Sequence, residues 1–290
     1  MNHSKPSGVK LFIAIVLVAL FGATIPAFSK FALEGFETFS LAWVRFFFAL
    51  AVGLVWIRPS SEILRQVWKH KWLGVVGAIN PVFVFFSLEH IPANIVPFFF
   101  AATPMLSLIY NYVTTRNLPS LTQGFGFLLG LVGVAWITIN TSSDQPTALG
   151  GIGLLAIAVS AFWVYNTWSN RILAVSETKP DTLAITLFIA TVVIATPFAV
   201  PEVASVSDQI ELSHIGAAAV VGVLGTAAFY FGLQQLLRVA NTARAQLFTY
   251  LQAPFGAIIA FLLLGEQVTM SLAIGGTLAL LGAALASRAS

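Results

Sequence analysis

The chain has 290 residues, of which 58% are hydrophobic and only 9% carry a charge. An ordinary soluble domain carries roughly 25% charged residues, so this composition cannot cover a surface that faces water. A net charge of +3 is too small for a face that binds nucleic acid. The chain contains no cysteine, which excludes disulfides, thiolate metal sites and cysteine nucleophiles. Lipid is therefore the expected solvent for most of the chain.

Ten apolar runs are long enough to cross a bilayer as helices, because a spanning helix needs about 20 mainly apolar residues. We number them segments 1 to 10, at approximately 9–32, 37–57, 72–88, 92–115, 121–140, 149–173, 181–200, 213–237, 242–264 and 269–287. The connections are short, and the longest, residues 58–71, has room for a helix on the membrane surface. The sequence predicts an all-α membrane protein of ten transmembrane helices.

The charges between the segments predict the direction of the chain. If the N-terminus is cytoplasmic, twelve of the 14 lysines and arginines lie at inner positions, and the two others are Lys30 outside and Arg45 within segment 2. The outer connections are acidic instead, with Glu89, Glu202 and Glu266 among them. Such a bias over short loops is the positive-inside pattern. We therefore expect a multi-pass protein of the cell inner membrane with both termini cytoplasmic.

A repeated pattern relates the two halves of the chain. Residues 243–282 contain an apolar helix with a central proline, Pro254, a charge at its end, Glu266, and a glycine-rich apolar helix. The same plan stands 150 residues earlier, with Pro104 at the proline position and Arg116 where the second copy has its glutamate. A period this long indicates two halves of similar structure rather than a solenoid.

Each half contains five segments, an odd number, so the second half would enter the membrane from the opposite side. The sequence thus predicts two inverted five-helix repeats, residues 1–145 and 146–290, which form one integral membrane unit. Inverted repeats are a common basis of alternating access, with the substrate site near the bilayer midplane. This symmetry is the main sequence argument for transport.

Polar and aromatic side chains at mid-depth are the candidates for substrate contacts, because amides and phenols inside lipid need partners. Residues 163–168 of segment 6, WVYNTW, are unusually rich in both types. The predicted substrate-binding residues are Asn80, Phe99, Trp163, Asn166, Tyr230 and Tyr250.

Two prolines and two charged residues are predicted to act in gating. Pro104 and Pro254 recur at matched positions and each removes a helical hydrogen bond, so they are expected to bend segments 4 and 9 around a cavity or to act as hinges. A charge inside lipid is costly unless it is paired. Arg45 is therefore expected to form an outer network with a carboxylate such as Glu89 or Glu266, as a structural element or an outer gate. The glycines of segments 5 and 10 are interpreted as packing contacts.

These features resemble the drug/metabolite transporter superfamily, and specifically its ten-helix EamA-type exporters. The resemblance is carried by Phe21-Gly22 in segment 1, by Arg45-Phe46 in segment 2 and by the two proline–charge–glycine units. Segment 9 fits the family pattern through Ala243, Ala245, Pro254 and Glu266. The chain departs from it at Arg116, where a glutamate is usual, and at Phe21, where tryptophan is common. The resemblance implies export of amino acids, other small metabolites or drugs through a cavity framed by segments 1, 3, 4, 6, 8 and 9.

The predicted function is export of small metabolites, amino acids or similar zwitterions, by alternating access, without a cofactor, a metal or catalysis. Arg116, Arg238 and Arg244 would form a basic inner mouth that favours anionic or zwitterionic solutes. The partners are a small-molecule substrate and the bilayer, and ten helices suffice to enclose a pathway in a monomer. A multidrug exporter of the same fold stays open, and would need a membrane acid such as Glu89 or Glu266. A membrane enzyme or scaffold is the third alternative.

Overall fold

The structure, a computed structural model, describes residues 8–58, 60–116, 118–144, 147–239 and 247–286. Within these ranges it contains helices and no β-strand. Segments 1, 2, 3, 5, 6, 7, 9 and 10 have as their helices Gly8–Ala32, Thr38–Ile57, Lys71–Leu88, Leu121–Asp144, Ala148–Val175, Pro180–Val206, Leu247–Leu264 and Met270–Ala286. Eight described helical segments are long and apolar enough to cross a membrane, and segments 9 and 10 are shorter apolar helices. The predicted all-helical, multi-pass class is confirmed.

Segment 4 is interrupted rather than continuous. It begins with the 3-10 turn Ala93–Ile95, continues as the short helix Val96–Phe100 and resumes, after a turn, as Thr103–Thr115. Pro97 and Pro104 each stand in the first turn of one of these pieces. A proline there costs no hydrogen bond, whereas in a helix interior it would clash with the preceding turn. The two prolines thus explain why the segment breaks at this place.

Segment 8 contains a widened stretch between two α-helical pieces. The helix Leu212–Val220 passes into the π-helix Val221–Ala228, and Phe229–Val239 completes the segment. A π-helix is rare, and where one occurs it is often found at a functional site. Gly222 within it approaches segment 2 so closely that an added Cβ would lie 2.6 Å from the carbonyl oxygen of Arg45.

The longest connection contains the helix Ser61–Lys69, as its length suggested. The hydroxyl of Ser60 caps this helix by accepting a hydrogen bond from the backbone N–H of Ile63 at 3.3 Å. Trp68 is exposed, and the ammonium of Lys71 lies 3.8 Å from the centroid of its ring. An amphipathic helix with exposed tryptophan and lysine is typical of a membrane interface.

Glycines bring segments 5 and 10 into backbone contact. A Cβ added to Gly282 would lie 2.2 Å from the backbone nitrogen of Gly130 and 2.6 Å from the carbonyl oxygen of Gly126. One added to Gly133 would lie 2.4 Å from the nitrogen of Ala279. The interpretation as packing contacts is confirmed for these glycines, within one chain, but not for Gly124, where an added Cβ would meet nothing within 4 Å.

The remaining segments form a bundle around the centre of the molecule. Segment 1 packs against segments 8 and 9, segment 2 against 7 and 8, and segment 3 against 6 and 7. The first part of segment 4 packs against segment 9 and its last part against segment 6. Large apolar side chains remain exposed around the outside, Phe47, Trp72, Phe125 and Leu262 among them, which is the surface that lipid requires.

The connections between segments 1–2, 3–4, 7–8 and 9–10 meet at one end of the bundle, which we call the acidic end. There the hydroxyl of Thr38 donates to Glu89 at 2.7 Å, and the backbone N–H of Ser40 donates to Glu202 at 2.6 Å. Lys30 forms an ion pair with Glu266 at 3.0 Å. These contacts join four connections that are far apart in the chain.

The connections 2–3 and 6–7 meet at the other end of the bundle, which we call the opposite end. A ring nitrogen of His70 lies 3.3 Å from the hydroxyl of Thr178. Partial burial lowers the pKa of His70, and the positive charge of the nearby Lys69 lowers it further. The amide of Gln235 donates to Asp181 at 2.9 Å. Arg171 donates to the hydroxyl of Tyr110. The contacts at this end involve fewer carboxylates than those at the acidic end.

We predict that Gly282→Ala destabilises the protein by about 1–3 kcal/mol, because its methyl group would overpack against backbone atoms that cannot move aside. The measurement is thermal unfolding in detergent. Gly124→Ala, in segment 5, is the matched control, because a Cβ there meets nothing within 4 Å. Equal unfolding temperatures for the two variants would show that the glycine contact does not hold these helices together.

Candidate functional site

A small cavity lies near the centre of the bundle, among segments 1, 2, 3, 4, 6, 8 and 9. Its volume of about 30 Å³ is enough for roughly two water molecules. Its walls combine one cation, amides and aromatic rings with aliphatic side chains. They are formed by Ile25, Pro26, Arg45, Asn80, Pro81, Val84, Val96, Phe100, Phe162, Phe229, Tyr230 and Gln252.

Arg45 is the charged residue of this cavity and is only 2% exposed. Its Nε donates a hydrogen bond to Thr226 Oγ1 at 2.6 Å, and that hydroxyl donates in turn to the carbonyl oxygen of Val221 at 2.9 Å. The second bond spans five residues of the π-helix, so the widened stretch of segment 8 sets the direction of the threonine. The guanidinium carbon also lies 5.2 Å from the ring centroid of Phe46 and 5.4 Å from that of Phe85.

The expected pairing of Arg45 with an outer carboxylate is wrong. In the described part of the chain Arg45 has no carboxylate within ion-pair distance, and the cation that pairs with Glu266 is Lys30. The reason is position. Arg45 lines the central cavity, whereas Glu89, Glu202 and Glu266 contact their partners at the acidic end.

Two amides of the cavity bind backbone carbonyls through their NH₂ groups. Asn80 Nδ2 donates to the carbonyl oxygen of Ala158 at 3.0 Å, and Gln252 Nε2 donates to that of Gly22, also at 3.0 Å. These bonds tie segment 3 to segment 6 and segment 9 to segment 1. Gly22 must lack a side chain, because an added Cβ would lie 2.8 Å from the ring of Phe229. Each amide oxygen remains an acceptor on the cavity wall.

Glu266 forms the densest group of polar contacts at the acidic end. Its carboxylate accepts hydrogen bonds from the backbone N–H groups of Ala93 and Asn94, both at 2.8 Å, and from Lys30 Nζ at 3.0 Å. The lysine also donates to the carbonyl oxygen of Ile91 at 2.9 Å. The carboxylate therefore caps the start of segment 4 and draws segments 1 and 9 to it.

A second, larger recess lies at the acidic end, with a volume of about 340 Å³. Its lining combines polar residues, Lys30, Asn94 and Glu266 among them, with apolar ones such as Ile137 and Leu272. It includes the ends of segments 1, 5 and 9 and the start of segment 4. Among the described residues no group of histidine and carboxylate side chains could hold a metal ion.

Three of the predicted functional residues, Arg45, Asn80 and Tyr230, come together on the cavity wall. The ring of Tyr230 packs edge-to-face against that of Tyr165, with centroids 6.0 Å apart. The cavity therefore brings together residues of segments 2, 3 and 8 that the sequence singled out separately.

The other predicted substrate-binding residues lie away from the cavity wall. Trp163 Nε1 donates to Ser107 Oγ at 2.8 Å, toward the last part of segment 4, and the hydroxyl of Tyr250 donates to the carbonyl oxygen of Ala283, also at 2.8 Å. Phe99 is buried in the core. Asn166 is 1% exposed, and its Oδ1 has no hydrogen-bond partner within the described ranges.

The two predicted hinge prolines have different surroundings. Pro104 follows the interruption of segment 4, whereas Pro254 lies inside the continuous helix Leu247–Leu264. Arg116 is exposed at the end of segment 4. Arg238 is exposed near the end of segment 8, and the predicted positions Ala243, Arg244 and Ala245 lie outside the described residues.

Sequence reasoning did not select the three phenylalanines that line the cavity, Phe100, Phe162 and Phe229. Phe162 had a signal, since FGATIPAFSK at 21–30 can be aligned with FWVYNTWSNR at 162–171, which pairs Phe21 with Phe162. Phe100 is the neighbour of the predicted Phe99 in a run of three phenylalanines. Adjacent residues of a helix point in different directions, and the sequence does not show which of them faces the cavity. Nothing in the pattern singled out Phe229.

The chain resembles known transporter sequences over nearly its whole length. A model of the EamA-like transporter family matches residues 9–139 and again residues 150–288. A protein of Archaeoglobus fulgidus named an uncharacterized transporter is 22% identical over 276 residues, which are 94% of this chain and 97% of that protein. A crystal structure of a protein with 17% sequence identity superposes with a TM-score of 0.69 and covers 97% of both chains. The last match shows the fold alone.

We predict that Glu266→Gln destabilises the protein by about 1–3 kcal/mol, because an amide cannot accept from both backbone N–H groups and leaves Lys30 without its counter-charge. Thermal unfolding in detergent measures the change. Glu62→Gln is the control: its contact with Arg65 is 3.8 Å long and exposed, so we expect a change below about 0.5 kcal/mol. A Glu266 variant as stable as this control would contradict the capping role.

Proposed function

This chain belongs to the EamA-like transporter family and is a multi-pass membrane transporter, and we propose that it exports small zwitterionic metabolites, such as amino acids, by alternating access. Membership of this family supports transport rather than catalysis. The observation that carries the substrate proposal is the central cavity, whose wall joins a buried cation, amide oxygens and aromatic rings.

Two inverted repeats, residues 1–145 and 146–290, are part of this proposal. The family model matches once on each side of that boundary, at 9–139 and at 150–288. The packing supports the same division. If each segment is replaced by its counterpart in the other half, the packed pair 3 and 6 becomes the pair 8 and 1, which is also packed. In the same way the packed pair 3 and 7 becomes the packed pair 8 and 2. The pairs 5–10 and 2–7 map onto themselves.

We propose ten membrane crossings, with the acidic end outside the cell and both termini in the cytoplasm. The meeting of connections 1–2, 3–4, 7–8 and 9–10 at one end, and of 2–3 and 6–7 at the other, supports the alternation. The excess of lysine and arginine in the remaining connections supports the direction. An exporter of this kind belongs in the cell inner membrane, and one chain encloses the pathway.

In the proposed mechanism the described conformation is closed toward the acidic end. Glu266 holds the ends of segments 1 and 9 to the start of segment 4, above a cavity too small for a metabolite. Outward release then requires these contacts to separate, with bending near Pro104 and Pro254. The recess of about 340 Å³ at this end is the proposed exit.

The chemistry of the cavity favours a zwitterion over a lipophilic cation. The alternative multidrug exporter would need an acid in its binding site, but no carboxylate lines the cavity in the described part of the chain. Glu266 already binds Lys30, and Glu89 accepts from Thr38. A cationic drug would instead meet Arg45 at short range, which costs free energy in a medium of low polarity.

We expect purified protein in liposomes to exchange L-amino acids across the membrane. Liposomes loaded with a mixture of unlabelled L-amino acids should accumulate labelled members of the same mixture, while empty liposomes and liposomes without protein should not. Quaternary ammonium drugs should not be accumulated. Protein that unfolds cooperatively and yet moves no amino acid, or that moves the drugs instead, would overturn the substrate proposal.

We also expect that tying segments 1 and 9 together at the acidic end stops transport. Because the chain has no native cysteine, Lys30→Cys with Glu266→Cys can be joined by a short thiol-specific cross-linker that a reductant cleaves. These side chains are 3.0 Å apart in the wild type. Exchange should be lost on cross-linking and recover on reduction.

The matched control for this experiment is Glu62→Cys with Arg65→Cys on the surface helix, treated with the same reagent. It tests for effects of the cross-linker away from the pathway. If the cross-linked variant with Lys30→Cys and Glu266→Cys exchanges amino acids as fast as the same variant after reduction, alternating access through the acidic end is wrong.

A further inference from the structure

We propose that Arg45 binds the carboxylate group of the transported solute, so that a free, singly charged carboxylate is required for binding. The proposal rests on the proposed function and makes it specific. It assigns the negative end of the zwitterion to one side chain and excludes esters, amides and amines that lack this group.

Arg45 has hydrogen-bond donors that the described part of the protein does not use. A guanidinium has five N–H groups, and Nε donates to Thr226. The four N–H groups of the two Nη nitrogens have no hydrogen-bond partner in the described ranges of the chain. Because Arg45 is 2% exposed and lines the cavity, only a group inside that cavity can reach them.

The buried charge of Arg45 also lacks a protein anion among the described residues. An unpaired charge inside a membrane protein is costly and usually marks a substrate or ion pathway. The rings of Phe46 and Phe85 attract the guanidinium, but rings supply no negative charge. Among the described carboxylates, Glu202 binds Ser40 and Glu266 binds Lys30, both at the acidic end.

The free N–H groups of Arg45 fit a carboxylate better than other anions. The two Nη groups of an arginine form a planar fork that matches the two oxygens of a carboxylate. One guanidinium compensates one negative charge, and no second cation lines the cavity within the described residues. A phosphate or a dicarboxylate would therefore keep an unpaired charge, whereas a monocarboxylate would not.

The remaining cavity wall suits the positive end of an amino acid. The amide oxygens of Asn80 and Gln252 can accept hydrogen bonds from an ammonium group, since their NH₂ groups already donate to backbone carbonyls. The rings of Phe162 and Phe229 can attract it as well. The hydrogen bond that Arg45 Nε donates to Thr226 holds the guanidinium so that its Nη groups are left for the carboxylate. The cavity must widen to admit the solute, as alternating access requires.

The experiment compares ligand-dependent thermal stabilisation of the full-length protein in detergent by two probe mixtures. One contains L-amino acids with apolar side chains, and the other contains the carboxamides of the same amino acids at equal concentration. Wild-type protein should be stabilised by the acids and not by the amides. Arg45→Gln should weaken binding of the acids by about thirtyfold or more, and Arg45→Lys, which keeps the charge but not the fork, should retain part of it.

Each outcome bears on a different statement. Equal stabilisation of the wild type by acids and amides overturns the role of Arg45 and leaves amino-acid transport standing, and this comparison needs no variant. An Arg45→Gln protein that binds the acids as tightly as the wild type overturns it as well. Stabilisation of the wild type by neither mixture, together with no exchange in liposomes, overturns the proposed function itself and this inference with it.

Discussion

The contacts that join segments 1, 4 and 9 at the acidic end depend on the carboxylate of Glu266. The first backbone N–H groups of a helix have no partner within that helix, and in a membrane each unpaired group is costly. Glu266 accepts from two of them, in Ala93 and Asn94, and from Lys30. Segment 4 therefore cannot tilt away from segment 9 without leaving these donors unpaired. A helix cap, a local device in most proteins, here joins the two halves of the chain.

The proposed repeat has a different residue at the position that corresponds to Glu266. The position that corresponds to Glu266 is Arg116, whose backbone is left-handed, with φ of 58°, and whose side chain is exposed. An arginine has no acceptor, so it cannot cap a helix start as a carboxylate does. The described contacts at the opposite end include those of His70 with Thr178, of Asp181 with Gln235 and of Arg171 with Tyr110. Among the described residues, the ion pair that joins two of the ten segments, Lys30 with Glu266, lies at the acidic end.

The positions of the helices could be predicted from the sequence because lipid tolerates no unpaired backbone and so demands long apolar runs. Segment 3 was predicted at 72–88 and is the helix Lys71–Leu88. The local geometry within the helices was harder to predict. The π-helix Val221–Ala228 contains no proline that would predict a distortion. It nevertheless places Thr226 within hydrogen-bond distance of Arg45. Such a distortion depends on tertiary packing.

The same dependence on tertiary packing explains why only part of the site could be predicted from the sequence. An amide or a phenol in lipid needs a partner, but the sequence does not say whether that partner is a substrate or the protein. The hydroxyl of Tyr250 donates to a backbone carbonyl, and the indole of Trp163 donates to Ser107. Arg45 shows the converse, because its depth suggested a carboxylate on a neighbouring helix, and the described structure offers it a hydroxyl and two rings. A charge left uncompensated by the protein penalises the empty site, and it favours ligands that bring the opposite charge.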